Sequence, residues 1–204
     1  NRWKCADNNI FFAINDGQGR GGTYVLRIRV LDPTSLVFGG FKRGKSIDVL
    51  AGDYIYVGSA MSDSGSTCLA RRLLRHATRT SGQGHLIRQS MLRVFPEMGI
   101  ADEGIQPPIG KKFKWNVDYI LDLPIAELIS VYVLRSDLRL EPIVGNFLET
   151  DPATSIIEKG LGANDRPGST YLLRGDADEA WWSELASRLE RTLIANENAH
   201  LARS

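Results

Sequence analysis

Five residues of this chain have types and spacing suited to joint chemistry: Tyr24, Tyr56, the pair Arg72 and His76 one helical turn apart, and Glu141 beside a proline. A phenol, with a reference pKa near ~10, joins in proton transfer once a neighbouring cation or metal lowers that value. A planar guanidinium clamps a phosphate through two parallel hydrogen bonds. A carboxylate can hold a divalent metal against a phosphate oxygen. Each group also has a plainer role open to it. Strand tyrosines commonly pack, an arginine-rich helix can pair with acids at the surface, and a glutamate at a helix start can serve as its cap.

The elements that would position these groups follow from periodicity. Apolar residues dominate Thr23 to Leu31 and alternate through Asp53 to Val57, bounded by Gly21-Gly22 and Ala51-Gly52, so both tyrosines are expected on strands. A turn over Met61 to Thr67 then offers a Ser or Thr as N-cap for a helix over Leu69 to Arg79. On that helix Leu69, Leu73, Leu74 and Ala77 share an apolar arc, and Arg72 and His76 stand at its edge, leaning over the sheet. Further along we expect a short strand over Leu36 to Phe38 and a helix over Gly84 to Phe95 stopped by Pro96. A mobile loop over Glu97 to Gly110 and strands over Val117 to Leu123 and Leu128 to Leu134 should follow. Helix starts are expected at Glu141-Pro142 and again at Asp151-Pro152, the second helix stopping at Lys159-Gly160. A short strand over Ser169 to Leu173 precedes a long helix over Asp178 to His200, with Trp182, Leu185, Leu189 and Leu193 on one face. The expected fold is a single α/β domain over 1–204: a small mixed or antiparallel sheet flanked by helices, with an inserted helix and loop over about 80–110 and a C-terminal helix.

With 43% apolar and 24% charged residues in 204, the chain has the make-up of an ordinary soluble protein. Its net charge of +1 conceals a basic middle third. Lys42, Arg43, Arg72, Arg75, Arg79, Lys111, Lys112 and Lys114 are expected to form a phosphate-binding surface. Two distant cysteines, Cys5 and Cys68, argue against a disulfide framework or a thiolate zinc site and fit a reducing cytoplasm. No apolar run approaches the roughly 20 residues needed to span a bilayer. The glycine run from Gly17 to Gly22 lacks a Gly-Lys-Ser/Thr ending and precedes a strand, which argues against a phosphate-binding loop.

Taken in order, Gly22-Thr23-Tyr24, Tyr56-Val57-Gly58, Arg72 with His76, and Glu141 resemble the GIY-YIG nuclease superfamily. The closer likeness is to its Uri-type, endonuclease-like branch, carried by Tyr54 to Ala60, Leu69 to His76 and Trp115-Asn116-Val117-Asp118-Tyr119-Ile120-Leu121. The resemblance covers about Gly22 to Leu173 and implies a metal-dependent DNA endonuclease leaving 5′-phosphate and 3′-hydroxyl ends. By it, Tyr24 and Tyr56 flank the attacking water, with Tyr56 the better candidate for general base. Arg72 stabilises the phosphate charge, His76 orients phosphate or water, and Glu141 binds one Mg²⁺ or Mn²⁺. Gly58, Ser59, Asn116 and Asn164 are candidates for a supporting role.

The chain also departs from that branch. Asn116 stands where the branch has histidine, and Leu161 to Thr170 lacks its cysteines and histidine. These changes keep open a catalytically inactive nucleic-acid-binding module on the same fold, or an assembly subunit in which the tyrosines and arginines only pack. Single or double strand, DNA or RNA, and oligomeric state are open as well.

Overall fold

The computed structural model describes residues 3–14, 18–162 and 168–201. In chain order the first half comprises β1 (Trp3–Asp7), β2 (Ile10–Ile14), β3 (Gly22–Val30), β4 (Thr34–Val37), β5 (Ser46–Val49), β6 (Gly52–Ala60), α1 (Leu69–His76) and α2 (Ile87–Glu97). The second comprises α3 (Asn116–Leu121), β7 (Ala126–Arg135), α4 (Glu141–Glu149), β8 (Thr154–Ile156), β9 (Leu172–Gly175) and α5 (Glu179–Leu201). Among the described residues seven strands form one sheet in the order β1-β2-β7-β3-β6-β9-β8, and β4 with β5 makes a separate hairpin. The sheet is mixed: β2 runs parallel to β7 and the other pairs are antiparallel. The fold is therefore α/β with helices on both sheet faces, and no described helix is long and apolar enough to cross a membrane.

Strand register decides which side chains meet. In the β3–β6 ladder Tyr24 lies opposite Gly58 and Leu26 opposite Tyr56, so the two tyrosines are diagonal neighbours on one face. Helix α1 covers that face, burying Leu69, Leu73 and Leu74. Phe12 of β2 shares it and meets Phe95 of α2 edge-on, their centroids 6.3 Å apart. The opposite face receives α5. Trp182 lies 4.2 Å from the Arg27 guanidinium, which also bonds Asp53 and Glu179. Trp182, Leu185, Leu189 and Leu193 are all buried, as their helical spacing predicts.

Several expected elements come out differently. Residues 117–123 are not a strand: Val117, Ile120 and Leu121 are buried at helical spacing in α3, and Asp118 accepts the backbone N–H groups of Lys114 and Trp115 at 2.9 and 3.0 Å. Asp118 thus satisfies donors that a short helix leaves open at its start. The helix expected after Asp151-Pro152 is absent, and β8 lies there. Asp151 turns its carboxylate to Arg188 and the Trp181 indole, and β8 completes the sheet edge on β9.

Helix boundaries shift as well. Helix α1 ends at His76, three residues before Arg79, and its N-cap is Cys68, without a side-chain bond, rather than a Ser or Thr; the Thr67 hydroxyl donates to Ser62. Leu140, not Glu141, occupies the N-cap of α4, which frees the glutamate from capping. Helix α2 starts at Ile87 and runs through Pro96 to Glu97.

Candidate active site

A cavity of about 750 Å³ opens at the ends of β3 and β6, between α1, the Trp115 segment and the start of α4. Tyr24, Tyr56, Ser59, Arg72 and Glu141 line it, joined by Lys114, Trp115, Arg139 and Tyr171. His76 stands behind Tyr24, fully buried, with its Nε2 2.9 Å from the Tyr24 hydroxyl. The five residues singled out from their chemistry thus converge at one place.

Gly58 makes the tyrosine geometry possible. A Cβ there would sit 2.5 Å from the Tyr24 hydroxyl and 2.6 Å from its ring carbon, so the ring lies in the space that glycine leaves. Burial raises the pKa of Tyr24, and the Arg72 guanidinium offsets part of the rise. Tyr56 is likewise pushed well up, by burial first and then by Tyr24 and Glu141. Both phenols are therefore neutral near pH 7. The hydrogen bond to His76 belongs to Tyr24, although sequence favoured Tyr56 as base.

Burial lowers the His76 pKa to about 4, with Lys111 and Arg75 pushing the same way against Asp118. A neutral imidazole carries one N–H. Its Nδ1 lies 3.7 Å from the Asp118 carboxylate, beyond hydrogen-bond range but within electrostatic reach. Burial alone would raise the Asp118 pKa, yet His76, Arg75 and Lys111 together hold the carboxyl well below the usual range. Asp118 accepts a two-pronged bond from Arg75, both contacts 2.9 Å, and lies 3.4 Å from the Lys111 ammonium.

Asp118 also anchors the segment that carries Trp115, and over that indole lies the Arg72 guanidinium, 4.0 Å from the ring centre. Arg72 forms no ion pair with a carboxylate among the described residues, and its buried Nε has no hydrogen-bond partner. A cation held by an aromatic face and facing a cavity is poised for an anion.

Glu141 reaches the cavity from the first turn of α4, where the helix dipole favours a carboxylate. It accepts the Ser59 hydroxyl and lies 3.7 Å from Arg139. Mg²⁺ is commonly bound by one or two carboxylates together with substrate phosphates. Glu141 is the one acid among the described residues that line the cavity, so it could give the carboxylate of such a site, with phosphate oxygens of a substrate completing it and Arg72 beside them as a second cation. Among the described residues no group of three or more acidic, histidine or cysteine ligands gathers, at this cavity or elsewhere.

The proposed phosphate surface divides in two. Arg79 is 8% exposed and spends its guanidinium on the Ala126 carbonyl at 2.7 Å and on Glu127 at 3.2 Å. Arg75 and Lys111 are committed to Asp118. These three hold the fold together rather than face a phosphate. Lys42 pairs with Glu158 at 3.7 Å. Arg43, Lys112 and Lys114 are exposed and pair with no carboxylate among the described residues. Asn116 is buried at the start of α3, outside the cavity lining, and Asn164 lies outside the described residues.

Asp118 and Arg139 were missed from sequence. An acidic residue three positions after Trp115 is a helix-start signal, visible only once the segment is read as a helix. No residue of the 80–110 segment lines the cavity; Lys114 and Trp115, just beyond it in the chain, do.

Fold and cavity together define an α/β protein with a polar, cation-lined site at a sheet end. The chain belongs to the DUF123 family, a domain of unknown function, whose family model matches residues 23–194. No curated protein and no solved structure matches it.

Proposed function

We propose that this protein is a metal-dependent endonuclease that hydrolyses DNA phosphodiester bonds by in-line attack of water, leaving 5′-phosphate and 3′-hydroxyl ends. The observation that carries this reading is the pairing, in one cavity, of an arginine without a carboxylate partner and a carboxylate free of capping duty, beside a tyrosine bonded to a neutral histidine. Arg72 takes up the charge that builds on the scissile phosphate, and its seat on Trp115 fixes it before substrate arrives.

Because burial keeps both phenols neutral, no standing phenolate is needed. Tyr24 accepts the proton of the attacking water as it passes its own to His76 Nε2, and Asp118 stabilises the imidazolium that results. Tyr56, beside Tyr24 in the cavity, helps to orient the water. Glu141 would hold a Mg²⁺ or Mn²⁺ ion, which would supply charge neutralisation for the leaving 3′ oxygen.

The test is cleavage of end-labelled single-stranded and duplex DNA with Mg²⁺, Mn²⁺ or EDTA, beside Glu141→Ala and Arg72→Ala. Metal-dependent product is expected, reduced about 10²- to 10³-fold in each variant, the scale seen on loss of one electrostatic stabiliser. No product on any substrate, or cleavage undiminished in both variants, would sink the proposal.

A further inference from the structure

A second concavity, of about 380 Å³, adjoins the cavity, and Lys114 and Trp115 line both. Its walls are aromatic. Phe38 and Phe41 come from the end of the β4–β5 hairpin, and Phe113 and Tyr119 from the start of α3 and the segment before it. Phe113 and Tyr119 rest against each other, centroids 4.3 Å apart and planes 32° apart. Phe113 keeps 44% of its surface in solvent, making it the one exposed aromatic ring among the described residues.

Asn116 lines the same groove, is 4% exposed, and its amide oxygen has no hydrogen-bond partner. A buried amide in that state calls for a partner, and an amide pairs well with the donor–acceptor edge of a heterocycle. Lys114 lines the groove, and Arg43 and Lys112 lie within two residues of its lining in the chain; all three are exposed cations unpaired with carboxylates among the described residues. The groove shape depends on Gly39, whose φ of +57° suits glycine and whose Cβ, if present, would lie 2.5 Å from the Tyr119 hydroxyl.

Flat aromatic walls, an unsatisfied amide and a cationic approach suit a nucleobase on a phosphate backbone better than an apolar peptide, which has no use for the cations. Bases inside a duplex already stack on one another and cannot offer a face to Phe113. We propose that this groove binds an unpaired nucleobase of the DNA strand whose phosphate occupies the adjoining cavity, so that the preferred substrate is single-stranded or locally unpaired DNA. This rests on the nuclease reading for the phosphate in the cavity. Lys114, shared by both spaces, would meet the backbone between base and scissile phosphate.

Fluorescence anisotropy of the full chain in EDTA tests the groove without requiring cleavage. The probes are a labelled single strand, its duplex, and a base-free deoxyribose-phosphate chain of the same length and charge. The single strand should bind roughly 5- to 100-fold more tightly than the base-free chain, the span that stacking of one base supports. The ratio of single-strand to duplex affinity should fall by a similar factor in Phe113→Ala and recover in Phe113→Trp; because Phe113 is exposed, neither change should disturb folding. Equal affinity for all three probes, no binding of the single strand, or a ratio indifferent to Phe113→Ala would overturn the inference. Preferential single-strand binding without metal-dependent cleavage would uphold the groove and overturn the nuclease reading alone.

Discussion

At the scale of single residues, the site depends on where one ring can lie. Tyr24 occupies the space above Gly58, and only there does its hydroxyl reach His76 Nε2 at 2.9 Å. Gly58→Ala puts a methyl group within 2.5 Å of that hydroxyl, and β3, buried along nearly its whole length, offers the ring no easy alternative. Overpacking of this kind typically costs about 1 to 3 kcal/mol. The expected outcome is a folded protein with a lowered urea midpoint and loss of most nuclease activity, because the proton path through Tyr24 is broken. Full activity in Gly58→Ala would show that Tyr24 need not touch His76. Asp118 acts in the same chain of contacts: held ionised by Arg75 and Lys111, it keeps a negative charge facing the His76 ring.

At the scale of elements, α2 separates a decorative segment from a structural one. It lies in the stretch expected as an insertion, yet Met91, Val94 and Phe95 are fully buried, and Phe95 packs against Phe12. Phe95→Ala should therefore cost about 3 to 5 kcal/mol in urea unfolding. Ile109→Ser, at a residue 98% exposed in the following loop, should stay within about 0.5 kcal/mol. Similar small costs for both would make the whole segment peripheral. The elements legible in sequence were those with enough length to show a period: β3 by its apolar run, β6 by its alternation, α1 and α5 by their buried stripes. Helix α3 was misread because Val117-Asp118-Tyr119-Ile120-Leu121 alternates well enough for a strand, and six residues are too few for the helical period to win. Strand β8 was misread because Asp151-Pro152 imitates a helix start, whereas the partner that engages Asp151 is Arg188, 37 residues away. The same distance effect governs the site. Tyr24, Tyr56, Arg72, His76 and Glu141 were legible by type, but the pairing of Arg75, Lys111 and Arg79 with carboxylates depends on contacts that no local pattern records.

At the scale of the whole molecule, two buried imidazoles set how stability answers to pH. His85 accepts the Leu128 N–H at Nδ1, 3.1 Å, and its Nε2 lies 3.0 Å from the Leu121 carbonyl, so its neutral form is fully satisfied. Burial lowers its pKa to about 4, as it does for His76, with Arg79 adding to the effect and Glu127 opposing it. In the unfolded chain each ring titrates near ~6.5. Between those values the unfolded state binds protons that the folded state refuses, so unfolding free energy rises with pH there and falls on acidification. The contribution of both rings is complete above about pH 6.5. It is lost as pH falls, by at most about 3 kcal/mol per pH unit where both titrate together. The depressed Asp118 carboxyl acts in the same direction, but only below its unfolded value near ~3.9. Urea midpoints should therefore decline steadily from about pH 7 through 6 to 5, above the range in which most carboxylates titrate. In His85→Gln the decline should be about half as steep, because one ring no longer takes up a proton on unfolding. A flat profile over that interval would mean that the rings are protonated in the folded protein, and His76 would then be unable to accept the Tyr24 proton on which the proposed chemistry depends.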